Sequence, residues 1–324
     1  MSDAPPPANG TAPQADRYAA IAAQIGTVLR LPATGAWPAV PHKLDAACAH
    51  AIVAAAAAGR PLLVRGEPGV GKSQLARAAA HLLGRPFLAA VVQPDSEYQE
   101  LLWALDHTAR LADAQLGERD KVREVGNYIG PGALWWALDW RSAETQADRC
   151  RHNFNPPDDL DPALHLEQGC VLLIDEIDKA DIALANGLLE VLGNGQFAVP
   201  PLGLAVRPAS HPPPLVVLTS NDTRQLPAAL LRRCVVLRME LPAEPLRWFL
   251  DRGETHFPDL DPGVLGAAAL QILADRAACA ATARTGPAEY LDLLRALSEV
   301  AADAQGQLEW LARLSVYFKK SHAG

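Results

Sequence analysis

The chain has 324 residues, 49% of them hydrophobic and 20% charged. That balance excludes a disordered or membrane-embedded polypeptide and, at roughly 150 residues per domain, predicts about two domains. The formal net charge of −8 denies the chain the overall basic footprint with which nucleic-acid binders neutralise phosphates.

Residues 1–16 are rich in Pro, Ala, Gly and Asp with almost nothing to bury, so a disordered arm is expected there. The start carries neither a positive stretch nor an apolar run of targeting type, and the first long apolar stretch, Ala46 to Ala58, is too short to cross a bilayer. A cytoplasmic location is the expectation. Tyr18, Ile21, Ile25, Val28 and Leu29 recur at helical spacing up to Arg30, and a second helix, Leu44 to Ala58, stops at Gly59-Arg60-Pro61.

From Pro61 the pattern changes. Leu62-Leu63-Val64, Phe87 to Val92, Val171 to Ile174 and Leu215 to Leu218 read as strands buried on both faces, with helical stretches between them. That alternation predicts an α/β parallel sheet. After Pro242 helical periods take over, through Pro245 to Asp251, Gly263 to Ala278, Pro287 to Ala302 and Leu308 to Lys319. The expected organisation is therefore an arm over 1–16, an α/β domain with leading helices over 17–242, and a small all-α domain over 243–324.

Two interruptions break the α/β rhythm. Residues 107–168 hold the polar run Gly117 to Gly126 and the loop Asn153 to Asp159, long enough to be functional or mobile. Residues 196–206, Gln196 to Val206 around Pro200-Pro201-Leu202-Gly203, read as an inserted hairpin. Of the prolines, 27 in all against a usual share of about 5%, several cluster in the arm, around Pro156-Pro157, at Pro200-Pro201 and in the run Pro212-Pro213-Pro214.

The strand Leu62-Leu63-Val64 runs into Gly66-Glu67-Pro68-Gly69-Val70-Gly71-Lys72-Ser73 and then into a helix. This fits the phosphate-binding pattern G-x-x-x-x-G-K-[ST], in its required strand, loop, helix context. Glycines let backbone N–H groups turn inward, the helix N-terminus adds positive potential, Lys72 reaches the β and γ oxygens, and Ser73 ligates Mg²⁺. Val171 to Ile174 ends in Asp175-Glu176, placing Asp175 beside the Mg²⁺ and leaving Glu176 to activate water. Either acid alone could be an ordinary strand end; a P-loop requires one on a neighbouring strand.

The order Gly66 to Ser73, Asp175-Glu176-Ile177-Asp178-Lys179-Ala180-Asp181, Thr219-Ser220-Asn221-Asp222, and Leu226 to Cys234 resembles the AAA+ ATPases, specifically their MoxR-like branch. The likeness runs over roughly residues 40–320. It implies an AAA+ core, a P-loop parallel sheet flanked by helices and followed by an all-α lid, that binds ATP with Mg²⁺. Asn221 then matches the polar sensor that orients the attacking water. Arg233 matches the arginine finger inserted into a neighbouring subunit's site, with Arg232 its close competitor; either arginine could otherwise simply solvate a helix end. The second-sensor arginine that relatives carry just after a lid proline is missing, since Pro287 is followed by Ala288; Arg284 is the candidate substitute.

The resemblance further implies a homo-oligomeric ring, a hexamer, with chaperone-like action on a protein client and a von Willebrand factor A domain protein as partner. It implies that the insertions face the pore or a partner. Trp135, Trp136 and Trp140 could line such a surface, but helical tryptophans more often bury their large area in a core. Two other classes compete. A nucleic-acid-linked or restriction-type motor would need a basic groove, and a small-molecule kinase would leave Asn221, Arg233 and the helical end unexplained.

The five cysteines, Cys48, Cys150, Cys170, Cys234 and Cys279, are odd in number and never in a Cys-x-x-Cys pair, which reads as reduced thiols. Cys150, His152, His165 and Cys170 form a poor zinc set: Cys-x-His is shorter than the usual ligand spacing, and Cys170 leads into a buried strand.

Overall fold

The computed structural model describes residues 14–150, 168–209, 212–278 and 284–320. Helix α1 (Gln14–Ala23) opens the chain, so residues 14–16, expected in the arm, are helical; the rest of the arm lies outside the described residues. The helix expected to reach Arg30 ends early. Gly26 takes a left-handed φ of 80° and donates to Leu44 O, turning the chain into β1 (Val28–Leu31). There Leu29 and Leu31 are buried while Val28 and Arg30 are exposed, a period of two that a short run of apolar residues hides among helical spacings. β1 pairs antiparallel with β2 (Val40–Lys43). Helix α2 (Ala46–Ala58) follows and stops at the left-handed Gly59, as a glycine there allows.

The central sheet is parallel and contains β3 (Leu62–Gly66), β4 (Phe87–Val91), β7 (Val171–Asp175), β10 (Leu215–Ser220) and β11 (Val235–Met239), in the order β11-β3-β10-β7-β4. Four strands were expected. The fifth, β11, forms the edge beside β3 and has only one of its five residues fully buried, so it lacks the unbroken apolar signature of the central strands. Helix α3 (Lys72–Leu83) follows β3 and supplies seven buried apolar residues to the cluster on one face of the sheet.

Side chains of each strand alternate between two apolar layers. Leu62, Val64, Val171, Leu173, Leu215 and Val217 pack with α1, α2 and α3, while Leu63, Leu172, Ile174, Val216 and Leu218 pack on the opposite side. That second layer draws on α4 (Tyr98–Leu102), the short pair β5 (Trp103–Leu105) and β6 (Ile129–Pro131), and the helices α7 (Ala133–Leu138) and α8 (Trp140–Arg149) after them. The helices between β5 and β6, α5 (His107–Gln115) and α6 (Arg119–Arg123), bury none of their residues and lie outside it. Trp135, Trp136 and Trp140 are core residues, Trp135 edge-on to Phe197 at 6.3 Å. The loop Asn153 to Asp159 lies outside the described residues.

Helix α9 (Ile182–Asn194) leads to the hairpin of β8 (Phe197–Val199) and β9 (Leu204–Val206), closed by a turn of 3-10 helix over Pro200–Leu202. Helix α10 (Ala228–Arg233) precedes β11. The described residues that follow contain four helices: α11 (Pro245–His256), α12 (Pro262–Ala278), α13 (Pro287–Val300) and α14 (Ala304–Phe318). These four surround their own apolar cluster of Phe249, Leu265, Ile272, Tyr290, Leu293 and Leu297. Three ion pairs tie this helical end to the sheet body: Lys43–Asp251 at 2.8 Å, Asp45–Arg252 at 2.6 Å and Glu67–Arg276 at 2.6 Å.

Candidate functional site

Parallel strands present their carboxyl ends to one side, and the loops that leave those ends build sites there. Here β3, β7 and β10 deliver Gly66–Ser73, Asp175-Glu176 and Ser220-Asn221 to the same edge. The phosphate loop turns through Gly69 at φ 80° and Gly71 at φ 96°. Gly69 also has no room for a side chain, because a Cβ there would lie 2.8 Å from the Ala288 Cβ of α13.

Lys72 is buried, and its three ammonium protons are all taken: Nζ donates to Gly66 O and Glu67 O at 2.8 Å and to Asn221 Oδ1 at 2.6 Å. Burial pulls its pKa below the ordinary lysine value, against the opposing pull of Asp175, Asp178, Glu176 and Asp222. Ser73 Oγ donates to Asp175 at 2.9 Å and 3.1 Å. A hydroxyl and a carboxylate held together in this way form the hard oxygen pair that Mg²⁺ takes alongside nucleotide phosphates. Those donors, the cationic Lys72 and the start of α3 all fit an anionic, Mg²⁺-bearing ligand.

Thr219 locks the two acids in place. Its buried hydroxyl donates to Asp175 Oδ1 and accepts from the Glu176 amide at 2.8 Å. Glu176 itself sits at φ 60°, a conformation that non-glycine residues adopt mainly where surrounding contacts impose it. Its carboxylate accepts from Asn221 Nδ2 at 3.1 Å and pairs with Lys179 at 2.5 Å. Asn221 therefore bridges Lys72 and Glu176.

Asp178 was part of the quoted motif but had no role assigned from sequence. It is 1% exposed and accepts from the Asn221 amide at 3.1 Å, the Thr223 amide at 2.9 Å and the Thr223 hydroxyl at 2.6 Å. Burial alone would raise its pKa, but the Thr223 and Asn221 bonds prevail and hold the carboxyl below the usual carboxylate range. The only sequence signal for it was its place three residues after Asp175.

A cavity of about 310 Å³ is lined by Lys72, Ser73, Asp175, Glu176 and Asn221 together with Trp37, a residue sequence reasoning passed over. A second cavity of about 350 Å³ shares Gly69, Gly71 and Gln74 with the first and extends past Val70 to Cys48, Met239, Trp248, Leu291 and Arg295. The first carries Lys72, Ser73 and the acids; the second has a mixed wall, with Val40, Val70, Met239, Leu291 and the Trp248 ring, over which Arg252 stacks at 3.5 Å, beside His42, Asp45 and Arg295. Joined, they suit a ligand with a charged tail and a flat apolar head.

Other predicted residues lie elsewhere. Arg233 is exposed at the end of α10, donates to Leu189 O and lines neither cavity; Arg232 is exposed beside it, and the two carbonyls accept from Arg60. Arg284 is exposed and also lines neither cavity. Glu67 directs its carboxylate to Arg276 instead of into the phosphate cavity, contributing only its carbonyl to Lys72. Cys150 and Cys170 are buried, with Cys170 donating to Ala137 O, and His152 and His165 fall outside the described residues.

Residues 61–234, more than half of the chain, match the AAA domain of the dynein-related subfamily. The chain belongs to that family. This AAA domain protein is accordingly an ATPase that uses ATP and Mg²⁺, from a family that forms oligomeric rings. Among solved structures it is similar to a point mutant of Thermotoga maritima RuvB, at 15% identity and a TM-score of 0.47 over 85% of this chain and 70% of the other. It is similar also to the T. maritima RuvB Holliday junction branch migration motor, at 15% identity and a TM-score of 0.44 over 82% and 67%. With both scores under 0.5, the activity of that motor says nothing about this AAA protein. No curated protein matches the chain. Among the described residues no helix is long and apolar enough to cross a membrane.

Proposed function

We propose that this AAA protein is a MoxR-like ATPase that hydrolyses ATP at the subunit interfaces of a hexameric ring and uses the cycle to remodel a protein client. One observation carries the reading: Lys72, Ser73, Asp175, Glu176 and Asn221 meet around one cavity while Arg233 stands exposed outside it. A site with its proposed base, metal oxygens and sensor in place, and with no arginine among the described residues beside them, fits one half of a shared site. The missing half is what Arg233 of a neighbouring copy would supply.

In this reading the triphosphate lies over Gly66–Ser73, and the base and ribose occupy the second cavity between β2, α2 and the helical lid, residues 243–324. Lys72 releases Asn221 and the loop carbonyls to meet the β and γ oxygens. Glu176 accepts the proton of the attacking water, whose position Asn221 fixes. Ser73 and Asp175 would hold Mg²⁺, which when bound neutralises charge on the phosphate oxygens. Arg233 contributes from the next subunit to the charge spreading over the transition state. The acidic net charge of −8 favours a protein client over nucleic acid, and a von Willebrand factor A domain protein is the partner class this branch implies.

Mixing tests it. Arg233→Ala and Lys72→Ala subunits should each be inactive alone and recover ATPase activity when combined, because mixed interfaces contain sites with both halves intact. No recovery at any ratio would reject the shared site.

A further inference from the structure

The helical end reaches the phosphate loop through one charged side chain. Arg276, in the last turn of α12, donates from Nη2 to Glu67 Oε2 at 2.6 Å and from Nη1 to the Thr285 carbonyl at 3.2 Å. Its side chain is 15% exposed, against 44% for Glu67, so the guanidinium is the anchored partner and the loop carboxylate is the one being held. Thr285 is buried just ahead of α13, and it is through α13 that Ala288 comes against Gly69. One arginine thus joins the end of α12, the approach to α13 and the second residue of the phosphate loop. Two residues further along the same loop, the Gly69–Ala288 approach leaves no gap between loop and helix.

Arg276 lines neither cavity, so it would not touch a nucleotide; it acts on the residue next to Gly66 and Pro68. The backbone around Glu67 is held from a second side, since the Gly66 and Glu67 carbonyls both accept from Lys72 at 2.8 Å. When those carbonyls give up Lys72 to phosphate oxygens, Glu67 remains fixed only from the helical side.

We propose that Arg276 is a positioning residue for nucleotide binding, holding the phosphate loop in its cradling shape through Glu67 and transmitting loop occupancy to the helical end. The proposal rests on the reading of Gly66–Ser73 as the phosphate site. It also gives the helical end a contact with the loop that Arg284, exposed and outside both cavities, does not make.

The test is a double-mutant cycle on the full chain, titrated with a fluorescent ADP analogue and Mg²⁺ at fixed ionic strength. Arg276→Gln and Glu67→Gln should each weaken binding by about five- to tenfold, the scale of one ordinary net hydrogen bond in a pair whose carboxylate is partly exposed. The double variant should be no weaker than the worse single, and Arg276→Lys should lose less than Arg276→Gln, because it keeps the cation but not the forked reach to both Glu67 and the Thr285 carbonyl. Thermal midpoints without nucleotide should change little, while the rise in midpoint on adding ADP should shrink; a purely structural pair would do the reverse. Arg276→Gln and Glu67→Gln both within about twofold of wild type, or losses that add in the double, overturn the proposal. Lys72→Ala in the same titration separates the two levels. If it loses binding while the Arg276 variants do not, only the strut is wrong; if it binds as wild type, the phosphate-loop reading fails and the strut with it.

Discussion

Replacing Asp178 by asparagine probes whether the hydrolytic geometry is held from behind. The carboxylate is 1% exposed and receives the amides of Asn221 and Thr223 and the Thr223 hydroxyl at 2.6–3.2 Å. An asparagine of the same shape offers one acceptor oxygen and turns an NH₂ group toward donors that cannot receive it. Hydrogen bonds to a charged group contribute about 1.5–3 kcal/mol each, and an unpaired buried donor costs about 1–3 kcal/mol. With partial rearrangement, the net loss should be about 2–4 kcal/mol of stability. At roughly 2–4 °C per kcal/mol for a chain of this class, calorimetry should register a midpoint lowered by about 5–15 °C. The catalytic effect is separable. Asn221 takes its orientation from the amide that Asp178 holds, and a shift on the order of 1 Å in a positioning group costs about a hundredfold in rate. Steady-state ATPase assays well below the lowered midpoint should therefore show kcat down by about 10–100-fold with KM for ATP within about threefold. If kcat is unchanged in a variant whose midpoint has fallen, Asp178 supports the fold but not Asn221. If neither moves, the hydrogen-bond argument itself is wrong.

Three further outcomes are expected. Gly69→Ala places a Cβ at φ 80° and 2.8 Å from the Ala288 Cβ; the left-handed conformation alone costs roughly 1–2 kcal/mol, so nucleotide affinity should fall about tenfold or more in a fluorescence titration, and equal affinity would show that loop and α13 separate freely. Glu176→Gln should bind ATP with near-normal affinity yet hydrolyse it at least about a hundredfold more slowly, since an amide cannot accept the proton of water; normal turnover in a phosphate-release assay would remove Glu176 as the base. His42 supplies a pH signature. Its Nε2 is buried without a hydrogen-bond partner among the described residues, and burial, reinforced by Arg252, lowers its pKa from 6.5 to about 4. Between those values the unfolded chain binds a proton that the folded chain refuses, so this contribution is fully present above about pH 6.5 and is lost as pH falls toward 4. It amounts to at most about 3 kcal/mol. Urea midpoints of His42→Asn should accordingly decline less than wild type between pH 7 and 4.5; parallel declines would refute the shift.

The chemistry of the phosphate loop and the acids at the end of β7 was legible because both are local. A loop that must wrap phosphates needs glycine, lysine and serine within eight consecutive positions, and that spacing survives whatever the rest of the chain does. The central strands were legible for a related reason: burial on both faces demands an unbroken apolar run. β1 and β11 were not, since each is short and partly exposed, and tertiary pairing decided them over the local pattern.

What no local pattern contains is the strand order. Placing β10 between β3 and β7 sets Leu218 beside Ile174 and Thr219 beside Val64, and only then do Thr219, Asn221 and Thr223 meet acids more than forty residues earlier in the chain. The same holds for Arg276, which finds Glu67 across 209 residues because the helical end folds back over the loop. The amino-acid sequence by itself supplied a phosphate-loop pattern and an apolar strand ending in two acids, from which the proposed phosphate, metal and base roles were read; the sensor role of Asn221 came from the resemblance. The tertiary structure decided which side chains hold those groups in position, and left Arg233 outside the site. Positioning depends on contacts between distant segments, and such contacts exist only once the parallel sheet has brought its carboxyl ends to a common edge.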